Sequence, residues 1–282
     1  KPLLADVFRE GRVCGLPLLP GSALALLAWT MNREWHRPIV CISGGADAME
    51  QFHADMCCLN PGSDIGLLYY PALDDIAASE GRGSGLPDPD LSASRMRVLH
   101  QLAGGQPFHG AKSDPSYVSP VITTCVRAIL QETTPPGALS TSCLDFALEE
   151  EMDFSGLPER LVGMGYRLES EVLEKGSASV RGGILDIWPA TEELPVRIEF
   201  QGTAVESIRT FDPETQRSVE KKKILRVFPV REPVSRHGEG KDRASLLEHL
   251  PPDTIFIWSD FDNIREHVLL SEESLTEKGS GR

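Results

Sequence analysis

Apolar positions in the first half of the chain fall into short continuous runs separated by stretches at helical spacing. Pro38-Ile39-Val40-Cys41-Ile42-Ser43, Ile65 to Tyr70 and Ser119 to Thr124 read as strands buried on both faces. Between them, Ala23 to Trp29 forms a helical stretch opened by Gly21 with Ser22 as N-cap. A second helix begins near Asp47, with Met49, Phe52, Met56 and Leu59 on one face. A third is capped by Ser92 or Ser94 and carries Met96, Val98, Leu99 and Leu102, and Val126 to Leu130 adds a short fourth. Strands that alternate with helices and are themselves continuously apolar imply a parallel α/β sheet. The apolar run from Val13 to Leu19 precedes all of this, and Ser79 to Pro89, rich in Gly, Pro and Ser, reads as an exposed loop.

Thr133-Thr134-Pro135-Pro136-Gly137 is a breaker cluster, and the texture changes after it. One helix, Leu157 to Met164, is followed by closely spaced short runs: Tyr166 to Val172, Ala178 to Val180, Ile184 to Trp188, Val196 to Phe200, Ala204 to Phe211 and Leu225 to Val230. Their turn-like separations (Arg181-Gly182-Gly183, Gln201-Gly202) predict a small α+β module with a curled antiparallel sheet. From about Val234 a helical pattern resumes, and Thr254 to Trp258 is another buried strand, placed as a return to the first domain. The expected division is therefore 1–136, 137–232 and 233–282, the last a truncated return segment.

Charge narrows the choice of partner. The 282 residues carry 28 Lys and Arg against 42 Asp and Glu, a formal net charge of -14, which a phosphate backbone repels unless the cations gather on one face. The longest apolar helical run, Ala23 to Trp29, is far below the roughly 18 residues of a membrane span. The chain opens Lys1-Pro2-Leu3 and is expected to be a cut piece of a longer cytoplasmic protein. None of the six cysteines makes a C-x-x-C, and most sit among apolar neighbours, as reduced structural thiols do. The seven histidines show no metal-ligand spacing, so no metal is expected.

A strand, a Gly-containing turn and a helix start coincide at Gly15 to Ala23, where a nucleotide-binding α/β domain carries G-x-x-x-x-G-K-[ST]. Gly21 is present, but Ser22 stands in place of the lysine that neutralises phosphate, and Ala23 in place of the hydroxyl that ligates Mg²⁺. No lysine occurs between Lys1 and Lys112, so no shift of alignment restores one, and the chain has no Asp-Glu dipeptide. ATP hydrolysis by this chain is not expected. The acidic run Glu149 to Glu151 reads as a solvated face or helix end, and Lys221-Lys222-Lys223, the one basic run, as a weak phosphate contact at best.

The informative stretch lies in the module. It runs Ser179-Val180-Arg181-Gly182-Gly183-Ile184-Leu185-Asp186-Ile187-Trp188-Pro189, then Val196-Arg197-Ile198-Glu199-Phe200, then Ile208-Arg209-Thr210-Phe211-Asp212-Pro213-Glu214-Thr215-Gln216-Arg217. Two glycines after Arg181 permit a tight bend, and Ile184, Asp186 and Trp188 share a face opposite Leu185 and Ile187. Arg181 and Arg197, placed on successive strands among apolar neighbours, are suited to a partner's carboxylates. Asp186, Glu199 and Glu206 are the acids that could pair with them within the chain instead.

This stretch resembles the module shared by bacterial transcription-repair coupling factors and the excision-repair subunit UvrB, which binds the damage-recognition subunit UvrA. Weaker similarity extends over about residues 10 to 270. The resemblance implies an α/β fold: a degenerate RecA-like (P-loop NTPase-like) parallel-sheet domain interrupted by a small α+β UvrA-binding module. It implies UvrA as partner, met by Arg181, Arg197 and Phe200, with Gln201 where coupling factors often carry an aromatic residue. It places RNA polymerase and DNA as partners of the full-length protein, with ATP and Mg²⁺ only in a translocase part outside this chain. A DNA-clamping fragment of UvrB is the alternative, but UvrB keeps a working phosphate loop and an aromatic-rich hairpin, which this sequence lacks.

Overall fold

A computed structural model describes residues 15–16, 19, 21–60, 66–73, 88–103, 119–139, 142–230, 232 and 244–269. Most of the apolar run from Val13 to Leu19, Ile65, and the Gly/Pro/Ser loop up to residue 87 lie outside these. The first domain contains α1 (Ala23–Trp35), β1 (Ile39–Ser43), α2 (Ala46–Leu59), β2 (Leu67–Tyr70), α3 (Pro89–Leu102), β3 (Val121–Cys125) and the short α4 (Val126–Leu130). Near the C-terminus come a 3₁₀ turn, Leu246–His249, then β12 (Ile255–Trp258) and a helix, α7, over 261–269.

The four strands form one all-parallel sheet in the order β12-β1-β3-β2. Alternation along β1 explains the layering: Ile39 and Cys41 pack under α1 and α2 with Ala28, Phe52 and Met56, while Val40 and Ile42 pack under α3 with Met96 and Leu99. Both faces are buried, so the strands read as continuous apolar runs rather than alternating ones. β12 pairs with β1 in register Ile39 to Ile255, which brings the C-terminal segment back onto the first sheet. The helix α3 starts earlier than Ser92. Asp88 caps it, its carboxylate accepting from the Asp90 N–H at 2.8 Å ahead of a proline in the first turn. Ser92 is buried, and Ser94 donates back to the Asp90 carbonyl. Cys41 and Cys125 are buried as expected, whereas Cys57 and Cys58 are exposed on α2.

Between the two halves of this sheet sit α5 (Pro136–Leu139), β4 (Leu144–Ala147), α6 (Leu157–Gly163), β5 (Arg167–Leu168), β6 (Ser177–Arg181), β7 (Ile184–Ile187), β8 (Val196–Gln201), β9 (Ala204–Phe211), β10 (Ser218–Lys222) and β11 (Ile224–Val227). Strands β10 to β5 form a six-stranded sheet in the order β10-β9-β8-β7-β6-β5, antiparallel except for β5 beside β6. The β4–β11 ribbon and α6 close its inner face over Phe146, Leu157, Leu161, Ile198 and Val227. One strand was not expected: β10, which takes in Lys221 and Lys222 of the basic run and ends before Lys223, is an almost wholly exposed edge strand whose one apolar residue, Val219, leaves no pattern to read. Glu149 to Glu151 are exposed, the solvated face of the two readings, in a turn laid against β9 with Glu149 N–H donating to the Val205 carbonyl and Val205 N–H to the Glu150 carbonyl.

Three histidines couple this packing to pH. Burial holds His53, His100 and His249 below the ordinary imidazole value, and the His249 Nε2–H donates to the Thr134 carbonyl at 2.9 Å. The unfolded chain therefore takes up protons near pH 6.5 that the folded one refuses, so stability is complete above that pH and is lost as pH falls. The melting temperature should drop between pH 7.5 and 5.5, and His249→Gln should shrink that drop. A pH-independent melting temperature would contradict this account.

Candidate functional site

Three strands build the arginine face. Along β8, Val196, Ile198 and Phe200 point into the module core, so Arg197, Glu199 and Gln201 project from the opposite, open face. Gly182 (φ +52°) and Gly183 (φ +90°) form the two-residue turn between β6 and β7, a left-handed pair that any Cβ would strain. That turn sets Arg181 opposite Ile184 and places Ser179 opposite Asp186. Asp186 in turn sits opposite Arg197. The two arginines are thus not on neighbouring strands: β7 lies between them, and its carboxylate is the element they share.

Asp186 is nearly inaccessible, with its side chain 3% exposed. Arg197 grips it with both ends of the guanidinium fork, Nε at 2.6 Å and Nη2 at 2.8 Å, and Nη2 also donates to Gln216 Oε1 at 2.9 Å. The Arg197 fork lies 4.6 Å above the Phe211 ring, and hydrogen bonding to Asp186 raises its pKa further. Arg181 reaches the same carboxylate only through Nη2 at 3.4 Å and remains 55% exposed, against 17% for Arg197. Farther along β8, Glu199 accepts from Ser207 at 2.7 Å and from Arg209 at 2.9 Å on β9, which holds its carboxyl below the usual range. Sequence reasoning did not single out Arg209. Only the register of β9 against β8, which sets it opposite Arg197, brings it to this face.

Phe200 does not share this face. It is buried among Phe146 and Phe154, with ring centroids 6.5 and 4.9 Å away, because alternation along β8 turns it inward. Its assignment as a contact residue is therefore corrected to a core residue that supports β8 from beneath. Gln201 is exposed at the end of the same strand, past an irregularity between Glu199 and Phe200.

At the other candidate, Gly21 is exposed with φ +53° and Ser22 occupies the N-cap position of α1, but the Ser22 side chain makes no capping bond. Only its carbonyl takes part, accepting from Leu26 at 3.0 Å. Ala23 offers no polar atom. The apolar run read over Val13 to Leu19 falls mostly outside the described residues. Among the described residues no group of three or more His, Cys, Asp or Glu is placed to hold a metal ion, and no helix is long and apolar enough to cross a membrane.

The module with its arginine face defines a class: residues 144–232 match the UvrB interaction domain. The rest of the chain adds the particular relatives. It is 28% identical over 270 residues (93% of the chain) to the transcription-repair-coupling factor of Myxococcus xanthus. It is 30% identical over 221 residues (78%) to that of Bacillus subtilis, and 28% over 214 residues (76%) to that of Escherichia coli. The chain fits the N-terminal region of the transcription-repair-coupling factors and spans only 21%, 17% and 17% of these three relatives.

Proposed function

We propose that this chain recruits the damage-recognition subunit UvrA in transcription-coupled nucleotide excision repair, through the open face of its UvrB interaction domain. The observation that carries the proposal is the convergence of Arg181 and Arg197 on Asp186 on that face of residues 144–232. Arg197 is preset by its carboxylate and by Phe211, whereas Arg181 keeps most of its donors free for a partner's acid. Gln201 extends the contact at the strand end.

In this reading the chain divides at 1–136, 137–232 and 233–282. Its parallel-sheet part is a RecA-like domain whose phosphate loop has decayed at Gly21, Ser22 and Ala23, so it binds no ATP or Mg²⁺ and is not an enzyme. ATP-driven translocation on DNA and contact with stalled RNA polymerase belong to the remainder of a protein several times longer, which works in the cytoplasm.

The test is titration of the 282-residue chain with purified UvrA. Saturable binding is expected, weakened by at least tenfold in Arg181→Glu at an unchanged melting temperature. An exposed arginine at the centre of an interface is worth about 2 kcal/mol or more. Equal binding by that variant overturns the site, and no binding by a well-folded chain overturns the partner.

A further inference from the structure

A second surface lies away from the arginine face, where α3 of the first domain passes the β4–β11 ribbon. A cleft of about 420 Å³ opens there, floored by Phe146, Ala147, Leu225 and Phe228 and rimmed by Arg97, His100, Gln101, Asp145, Ile224 and Arg226. An apolar floor with a few polar groups at its rim is the usual composition of a ligand site. The Oε1 of Gln101 is buried at this rim with no hydrogen-bond partner, so an acceptor there awaits a donor. The other rim groups are satisfied: Arg226 binds Asp145 and donates to His100 Nε2 at 2.6 Å, and Arg97 donates to the Thr191 carbonyl at 3.0 Å.

The strand beside the cleft has a free edge. Leu148 N–H donates to Lys223 C=O directly across the ladder, so Leu225 and Val227 turn their backbone groups toward β4. The N–H and C=O of Ile224 and Arg226 consequently point outward, and among the described residues they take no backbone partner. Ile224 itself is 65% exposed. Unpaired strand edges of this kind accept an added strand.

Charge selects the strand. Lys221 and Lys223 lead into this edge and Arg97 overlooks it from α3, and none of the three has a carboxylate partner among the described residues. The acids nearby, Asp145 and Glu192, are already committed to Arg226 and Lys222. In a chain of net charge -14 this is a local cationic rim on an apolar floor.

We infer that the edge of β11 is a docking site for an extended acidic segment of a partner protein, which adds as a strand beside Ile224 to Val227. It sets one large apolar side chain into the cleft and its acids against Lys221, Lys223 and Arg97. Such a segment bridges the first domain and the module, because α3 supplies one wall and β11 the other.

The test uses the 282-residue chain and a fluorescein-labelled peptide, Glu-Glu-Thr-Phe-Thr-Glu-Glu, followed by anisotropy and by amide hydrogen exchange. Saturable binding is expected, with exchange at Ile224 and Arg226 slowed on binding. The same peptide with lysines in place of glutamates should bind at least tenfold more weakly. Ile224→Pro removes an outward donor and should weaken binding at least tenfold. Since proline can disturb the ribbon, Arg97→Glu on the exposed side of α3 must weaken it as well. Absence of saturable binding, equal binding of the lysine peptide, or indifference to Arg97→Glu overturns the proposal. So does protection of the Ile224 and Arg226 amides in the free chain, which means that the chain fills its own cleft. Displacement of the peptide by an oligothymidylate at equal concentration assigns the rim to nucleic acid instead.

Discussion

Replacing Arg95 by alanine should lower the unfolding free energy by about 3–5 kcal/mol, the cost of leaving one member of a buried ion pair without its partner. Arg95 on α3 and Glu232, at the end of the module, are both almost wholly inaccessible and are joined through Arg95 Nε. Around them the satisfaction is dense. The guanidinium also donates to the Pro71 carbonyl at 3.1 Å and to Gln131 Oε1 at 3.2 Å, and it lies 4.3 Å over the Tyr70 ring. Thr133 donates to the second Glu232 oxygen at 2.9 Å. Alanine removes every one of the arginine's contacts at once and leaves the Glu232 carboxylate, where water cannot reach it, with only the Thr133 bond. Urea unfolding of Arg95→Ala and of Arg95→Ala combined with Glu232→Gln measures the effect, the double variant recovering part of the loss. A loss below about 1 kcal/mol in the single variant would show that the pair does not fasten the module to the parallel sheet.

The second large effect separates two arginines that look equivalent in sequence. Arg197→Glu puts a new carboxylate against Asp186, itself only 3% exposed, and removes a two-point grip, the bond to Gln216 and the stack on Phe211. The expected cost is about 2–5 kcal/mol of folding stability, so in the proposed function this variant would lose UvrA binding partly by loosening β7 and β8. Arg181→Glu gives up one 3.4 Å contact from an exposed side chain and should change stability by no more than about 0.5 kcal/mol. Thermal unfolding of the two variants side by side decides the point. Equal melting temperatures would mean that Asp186 does not depend on Arg197, and the preset half of the proposed surface would be lost with it.

Much of the fold is legible along the chain because burial leaves a periodic trace. Ile39 to Ser43 and Val121 to Cys125 are buried throughout since helices cover both faces of their sheet, and the apolar runs Ile39 to Ile42 and Val121-Ile122 are the trace by which parallel strands are read. Val196-Arg197-Ile198-Glu199-Phe200 alternates because only one face of the six-stranded sheet is covered. Where burial is absent, so is the trace: β10 is almost wholly exposed, its single Val219 included, and no strand is read there. Phe200 was misplaced for the converse reason. A motif names a residue without stating which way it points, and strand alternation sends it into the core.

The sequence by itself determined the class of fold, the turn at Gly182-Gly183, the missing lysine beside Gly21, and Arg181 and Arg197 as the residues of interest. These are local properties, set by side-chain period, by backbone freedom at one or two positions, or by the presence of a residue type. Only the tertiary structure decided that β7 lies between the two arginines, so that Asp186 serves both. It likewise decided that Arg95 meets a carboxylate 137 residues further on, and that β12, whose return to the first domain the sequence already indicated, takes its place beside β1. Such pairings depend on which strands become neighbours. That is settled by the packing of whole layers and leaves no mark in the residues adjacent to either partner.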